Sequence, residues 1–217
     1  MSDGPSSPGS SRSRITIDIR IASAGWRKAL PNPSAAIRRA VQAALKSELP
    51  KGAVTALSIL LTDDAEMQQL NAGWRAKDKP TNVLSFPAES AVDPSRPPEY
   101  LGDIALGLTT CRREAKEQGK RFADHVAHLT VHGVLHLLGY DHMDEEQANA
   151  MEPREVEILA GLRIANPYQV IVKKSVARNG ARKPARAKSV AKKVVVKKTV
   201  KKKVTKTTSP AARRRAA

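Results

Sequence analysis

HGVLHLLGYDH, residues His132 to His142, decides how this chain is read. His132 and His136 stand four residues apart, about 400° of α-helical turn, so on a helix both imidazoles project from one face, one above the other. Gly139 has the place of a helix C′ residue, where a left-handed backbone suits glycine. His142 follows three residues later, beyond the turn. Two ligands from a helix and a third from the turn after it can close on one face of a metal ion. Three neutral imidazoles with an open fourth position form a catalytic zinc arrangement, because structural zinc sites are usually closed by four protein ligands. The expected cofactor is one Zn2+ ion on His132, His136 and His142.

The spacing matches the metzincin protease pattern except at one place. Those proteases carry Glu directly after the first His as general base; here that position is Gly133. The metal-binding geometry is present and the protease's base is missing. A lone His on an apolar helix is usually a satisfied core residue. Three of the chain's five histidines at these offsets, with the turn glycine in place, favour the metal.

Outward from that stretch, Phe122 to Leu138 reads as the most apolar helix, with Phe122, Val126, Leu129, Leu135 and Leu138 carrying it through the core. Four short strands are expected: 15–21 with alternating Ile, 54–61, 81–86 and 100–108. Asn32 can cap a helix with Pro33 at its first position and Ile37, Val41, Leu45 and Leu49 as its buried stripe; Arg38 and Arg39 then lie on its solvated face. Asp63 with Glu66 resembles a capping box opening a short helix with Met67, Leu70 and Trp74 on its core side. A polar turn runs from Arg75 to Pro80, and a helix spans Thr109 or Thr110 to Gly119. After Asp144 a last helical stretch is expected to be interrupted at Pro153. The sum is a single α+β domain: about four strands in a mixed sheet, about five helices, and a central metal-bearing helix on one sheet face.

The net charge of +17 is unevenly placed. Residues 173–217 hold 18 Lys or Arg and no Asp or Glu, so the remaining body is close to neutral. The expected organisation is a disordered segment over 1–13, a catalytic domain over 14–170 and a disordered basic tail over 171–217. Residues 88–98, with Pro94, Pro97 and Pro98 after Pro87, read as an exposed loop. The tail suits nonspecific binding to nucleic acid by counterion release, or is a dispensable extension. The single cysteine, Cys111, excludes an internal disulfide and reads as a small, half-buried side chain. There is no secretory h-region and no apolar run long enough for a membrane span, so a cytosolic protein is expected.

Zinc on three imidazoles lowers the pKa of bound water to about 7 and acts as a Lewis acid. A phosphodiester transition state gains negative charge and requires a cation besides the metal. Arg75 is the best candidate, since guanidinium can clamp two phosphate oxygens, although on sequence alone a surface arginine is the ordinary reading.

Three segments in this order and spacing, LNAGWRAKDKPTNVLSFP (Leu70 to Pro87), LGDIAL (Leu101 to Leu106) and HGVLHLLGYDH, resemble the YbeY family of bacterial endoribonucleases over about residues 15–168. The resemblance implies a zinc-dependent, single-strand-specific endoribonuclease. It implies work on ribosomal RNA precursors and the small ribosomal subunit, in 16S rRNA 3′-end maturation and in ribosome quality control. It assigns zinc to His132, His136 and His142 and substrate contact to Arg75. Asn82 departs from the family's common Asp and leaves any role of a carboxylate there in doubt. The basic tail is outside the family pattern.

Two other classes compete: a metal-dependent peptidase-like hydrolase, against which Gly133 speaks, and a non-catalytic ribosome-assembly or RNA-binding protein with structural zinc. Among the remaining residues, His128 is expected behind the ligands or in the core, and His125 partly exposed. Asp141 suits turn chemistry, and Tyr140 base stacking or packing. Ser85 lies in a strand leading to the site. Trp26 and Trp74 suit the core, and Asp103 a strand end.

Overall fold

Ile15, Ile17, Ile19 and Ile21 alternate along β1 (Arg14–Ile21), which is what a strand with one covered face requires. The computed structural model describes residues 13–88, 98–141 and 145–169. After β1 the chain forms α1 (Gly25–Ala29), α2 (Pro33–Glu48), β2 (Val54–Thr62), α3 (Asp64–Arg75), β3 (Val83–Pro87), β4 (Tyr100–Gly107), α4 (Leu108–Glu117), α5 (Phe122–Leu137) and α6 (Glu145–Gly161). The sheet order is β1-β2-β4-β3. β1, β2 and β4 run parallel, with Ile17 opposite Leu57 and Ile59 opposite Ile104, while β3 pairs antiparallel with β4 and forms one edge. This is the expected α+β domain with a four-stranded mixed sheet.

Side-chain alternation gives the two sheet faces different partners. On one face Leu57, Ile59, Leu61, Ile104 and Leu106 join Ile37, Val41 and Leu45 of α2 and Val126, Val131, Val134 and Leu135 of α5 in the main core. On the other, Leu84 and Ala105 meet Met67 of α3, with Leu60, Leu70 and Phe86 at the margin. α3 and the histidine helix α5 therefore cover opposite faces, and β3 is the edge between them.

Local chemistry sets the helix starts. Asn32 Oδ1 accepts from Ala35 N at 3.0 Å, with Pro33 at the first helical position. Asp63 Oδ1 accepts from Ala65 N and Glu66 N, each at 3.1 Å, but Glu66 does not close the box and instead accepts from the Thr62 hydroxyl. α4 begins at Leu108, and its cap comes from another helix. Asp64 Oδ1 accepts from Thr109 N and Thr110 N at 3.1 Å, and its Oδ2 from the Thr110 hydroxyl at 2.7 Å.

Several expectations are corrected. α1 is a sixth helix; it carries Trp26, fully buried, whose Nε1 donates to Thr62 O at 2.8 Å. α6 continues through Pro153, because Met151, Glu155, Ile158 and Leu159 bury one side of it on both sides of the proline. Arg75 closes α3, and the turn starts at Ala76 in the left-handed region. Arg39 is not merely solvated, since its Nη2 donates to Leu162 O at 2.8 Å. Cys111 is fully buried, and burial raises its thiol pKa, which removes it as a nucleophile. No helix among the described residues is long and apolar enough to cross a membrane. The expectations for residues 1–12, 89–97 and 170–217, and for His142, fall outside the described residues.

Candidate metal centre

The centre is built on the last turns of α5. The apolar sequence around the histidines buries Leu129, Val131, Val134 and Leu135 while His132 and His136 stay half-exposed. Gly139 ends the helix as expected. At φ +91° it lets Gly139 N donate to His136 O at 3.1 Å and Tyr140 N to Leu135 O at 3.0 Å, the paired bonds of a Schellman motif. That turn brings Tyr140 O to 2.9 Å from His136 Nδ1.

A carbonyl oxygen only accepts, so the proton of a neutral His136 sits on Nδ1. His132 Nδ1 lies 2.7 Å from Glu155 Oε1, and an ionised carboxylate likewise only accepts. With both Nδ1 atoms donating, both Nε2 atoms carry lone pairs, and they face each other at 3.1 Å. Two lone pairs at that distance require a proton or a cation between them. Imidazoles held through Nδ1–H by a carboxylate and a backbone carbonyl, with Nε2 converging, are prepared as protein metal ligands generally are. The donor set thus fits a metal ion. Among the described residues no group of three His, Cys, Asp or Glu side chains is assembled to hold one, and the third expected ligand, His142, lies outside them.

Glu155, on α6, was not legible as a site residue. Its side chain is 1% exposed, against 22% for His132, so the carboxylate forms the closed back of a site whose imidazoles open outward. It also accepts from His128 Nε2 at 2.7 Å and from the Tyr168 hydroxyl. Burial alone would raise its pKa, but the hydrogen bonds from His128, His132 and Tyr168 outweigh it and hold the carboxyl at about 2. His128 thus shares the Glu155 carboxylate with His132, one helical turn earlier on α5. The neighbouring Arg154 donates to Glu48 Oε1 through Nε at 3.1 Å and Nη2 at 2.7 Å, while Glu48 Oε2 accepts from the Tyr140 hydroxyl at 2.7 Å. Glu48 and Arg154 thereby hold the turn whose carbonyl orients His136. Tyr140 serves through its backbone oxygen and its anchored hydroxyl.

Gly133 is fixed by packing. A Cβ there would lie 3.0 Å from Ile104 Cδ1 and 3.1 Å from both Ile104 Cγ2 and Ser85 Oγ. The position faces the sheet, so a glutamate there would have to displace Ile104 and Ser85 and would point away from the open side of His132. Ser85 itself donates to Gly133 O at 3.4 Å. Gly133→Val is expected to lower unfolding free energy by about 3 kcal/mol through overpacking, read from urea denaturation; a variant as stable as the parent would show that the α5–sheet contact is loose.

The remaining candidates fall elsewhere. Arg75 is exposed at the end of α3, on the sheet face opposite α5, and among the described residues the structure brings it to no histidine. His125 is 3% exposed, not partly exposed, with Nε2 3.1 Å from Glu114 Oε2; burial lowers its pKa. Asn82 Nδ2 donates to the same Glu114 oxygen at 2.9 Å and Asn82 Oδ1 accepts from Val83 N, so an amide suits this position, where a carboxylate would repel Glu114. Asp103 is an exposed mid-strand residue that accepts from the Tyr100 hydroxyl at 2.7 Å. Asp141 is half-buried. Trp74, expected in the core, is 72% exposed.

Fold and site define a class: an α+β domain whose mixed sheet supports a helix presenting two oriented imidazoles at its surface. The family described as Endoribonuclease YbeY matches residues 25–163. The Endoribonuclease YbeY of Paramagnetospirillum magneticum is 50% identical over 158 residues, covering 71% of this chain and 96% of that one. Those of Chelativorans sp. and Alkalilimnicola ehrlichii are 49% and 52% identical, over 71% and 67% of this chain and 93% and 86% of theirs. This chain belongs to the Endoribonuclease YbeY family.

Proposed function

We propose that this chain is a zinc-dependent endoribonuclease that cuts single-stranded RNA in the cytoplasm. Its substrates are ribosomal RNA precursors on or near the small ribosomal subunit, with the 3′ end of 16S rRNA and defective ribosomes as targets. The observation that carries the reading is the pair of Nε2 atoms 3.1 Å apart, each ring locked through Nδ1. His132, His136 and His142 would hold the ion, which would supply Lewis acidity and an activated water. Glu155 keeps His132 in the ligating tautomer and Tyr140 O does the same for His136. Arg75 supplies the cation for the phosphate, approached around the β3 edge. The basic tail, residues 171–217, adds nonspecific affinity for nucleic acid.

Gly133 disfavours the peptidase reading, because the position faces Ile104 and Ser85. The test is cleavage of an end-labelled single-stranded RNA carrying the 16S 3′ precursor sequence, with casein alongside. RNA cleavage lost on chelation and restored by zinc supports the reading. Casein cleavage without RNA cleavage transfers it to the peptidases. Zinc-loaded, folded protein that cuts neither, even on small-subunit particles, leaves a ribosome-assembly protein with structural zinc.

A further inference from the structure

The last turn of α3 outruns the sheet it covers. Met67 is fully buried and Leu70 half-buried against Leu84 and Ala105, but Trp74, one turn further on, is 72% exposed. The Phe86 ring on β3 packs against it, with centroids 5.2 Å apart and planes tilted by 53°. An indole supported by a second ring, with most of its surface in water, is a preformed flat apolar surface.

Its surroundings are cationic and ordered. Arg75, Lys77 and Lys79 are exposed, and no carboxylate pairs with them among the described residues. Asp78, the acid between them, accepts from Gln68 Nε2 at 2.8 Å. Buried Asn71 fixes the turn: its side-chain Nδ2 donates to Lys79 O at 2.7 Å, and its backbone oxygen accepts from Lys77 N at 3.2 Å. A flat aromatic surface flanked by cations on a hydrogen-bonded turn complements a strand of unpaired nucleotides, bases on the ring and phosphates on the charges. β3 connects this place to the histidines. Phe86 lies under Trp74, and the adjacent Ser85 faces Gly133 beside His132 across the edge strand.

We propose that Trp74, supported by the tilted Phe86 ring, is a base-stacking platform that holds single-stranded RNA where it crosses the β3 edge towards His132 and His136. This deepens the endoribonuclease reading and rests on it for the substrate class. Trp74 is a positioning residue, and stacking on it is tolerant of base identity.

The chain has two tryptophans, and Trp26 is fully buried, so emission that responds to surface binding reports Trp74. The full chain, with chelator present so that RNA stays whole, is titrated with decauridylate and, separately, with inorganic polyphosphate of equal charge. Quenching by the RNA and not by polyphosphate is expected. Trp74→Ala is expected to raise KM for single-stranded RNA about tenfold with kcat near the parent's, and Trp74→Phe to restore KM to within about twofold while abolishing the quench. Equal quenching by both polyanions, or a parental KM in Trp74→Ala, overturns the proposal. Emission that ignores RNA but shifts blue with protein concentration also overturns it, assigning the face to a second copy. The two readings separate cleanly: RNA cut without quenching removes the platform alone, and quenching without cleavage removes the nuclease alone.

Discussion

Glu155→Ala is expected to lower the unfolding free energy of the metal-free protein by about 3–5 kcal/mol, seen as a lower urea midpoint at unchanged slope. Glu155 is fully buried and accepts from His128, His132 and Tyr168. Truncation leaves those donors facing a cavity, and an orphaned donor costs about 1–3 kcal/mol where it is buried, as His128 most nearly is. The same change releases His132 from its tautomer, so zinc affinity is expected to fall about 10–100-fold in competition with a chromogenic chelator. Glu155→Gln keeps the volume and one acceptor oxygen but sets an amide N–H against a donor, so it falls between. A Glu155→Ala protein as stable as its parent would mean that the cluster does not hold α6.

His136→Ala is expected to behave differently. It loses the bond from Nδ1 to Tyr140 O but also removes the opposition of two Nε2 atoms at 3.1 Å. Metal-free stability should therefore change by less than about 1 kcal/mol. Zinc affinity should fall by more than about 100-fold, beyond the loss of a supporting residue, and RNA cleavage to below about 1% of the parent. The contrast is diagnostic: one variant is unstable with a damaged site, the other stable with none. A folded, zinc-free His136→Ala protein that still cuts RNA would remove the metal from the reaction.

Periodicity and caps made most of the fold legible. A spacing of four residues from His132 to His136, and Gly139 after them, required a shared helix face and a left-handed turn, and both are found. Asn32 and Asp63 announced their helices through short-range bonds that any chain with those residues can make. What stayed hidden depends on how far a neighbouring layer extends. The Met67–Leu70–Trp74 stripe gave the right face, but a stripe does not say where the sheet beneath it stops, and it stops before Trp74. Glu155 lies on another helix, 23 residues along the chain from His132. Its signal was present as an acid within the inward stripe Met151, Glu155, Ile158, Leu159 and Leu162, where a charge persists only with partners. Pro153 misled because proline's local penalty is real but smaller than the burial on that helix.

Arg154 and Glu155 are consecutive on α6, and successive helical side chains diverge by about 100°. One holds Glu48 and, through it, the turn that orients His136; the other holds His132 directly. α6 is therefore a splint across both imidazoles, and its docking and ligand affinity are thermodynamically linked. An ion that fixed the two rings would raise amide protection along α6, and loosening α6 would weaken its binding by the same factor. The orientation of both imidazoles is thus governed by a helix that contributes neither of them.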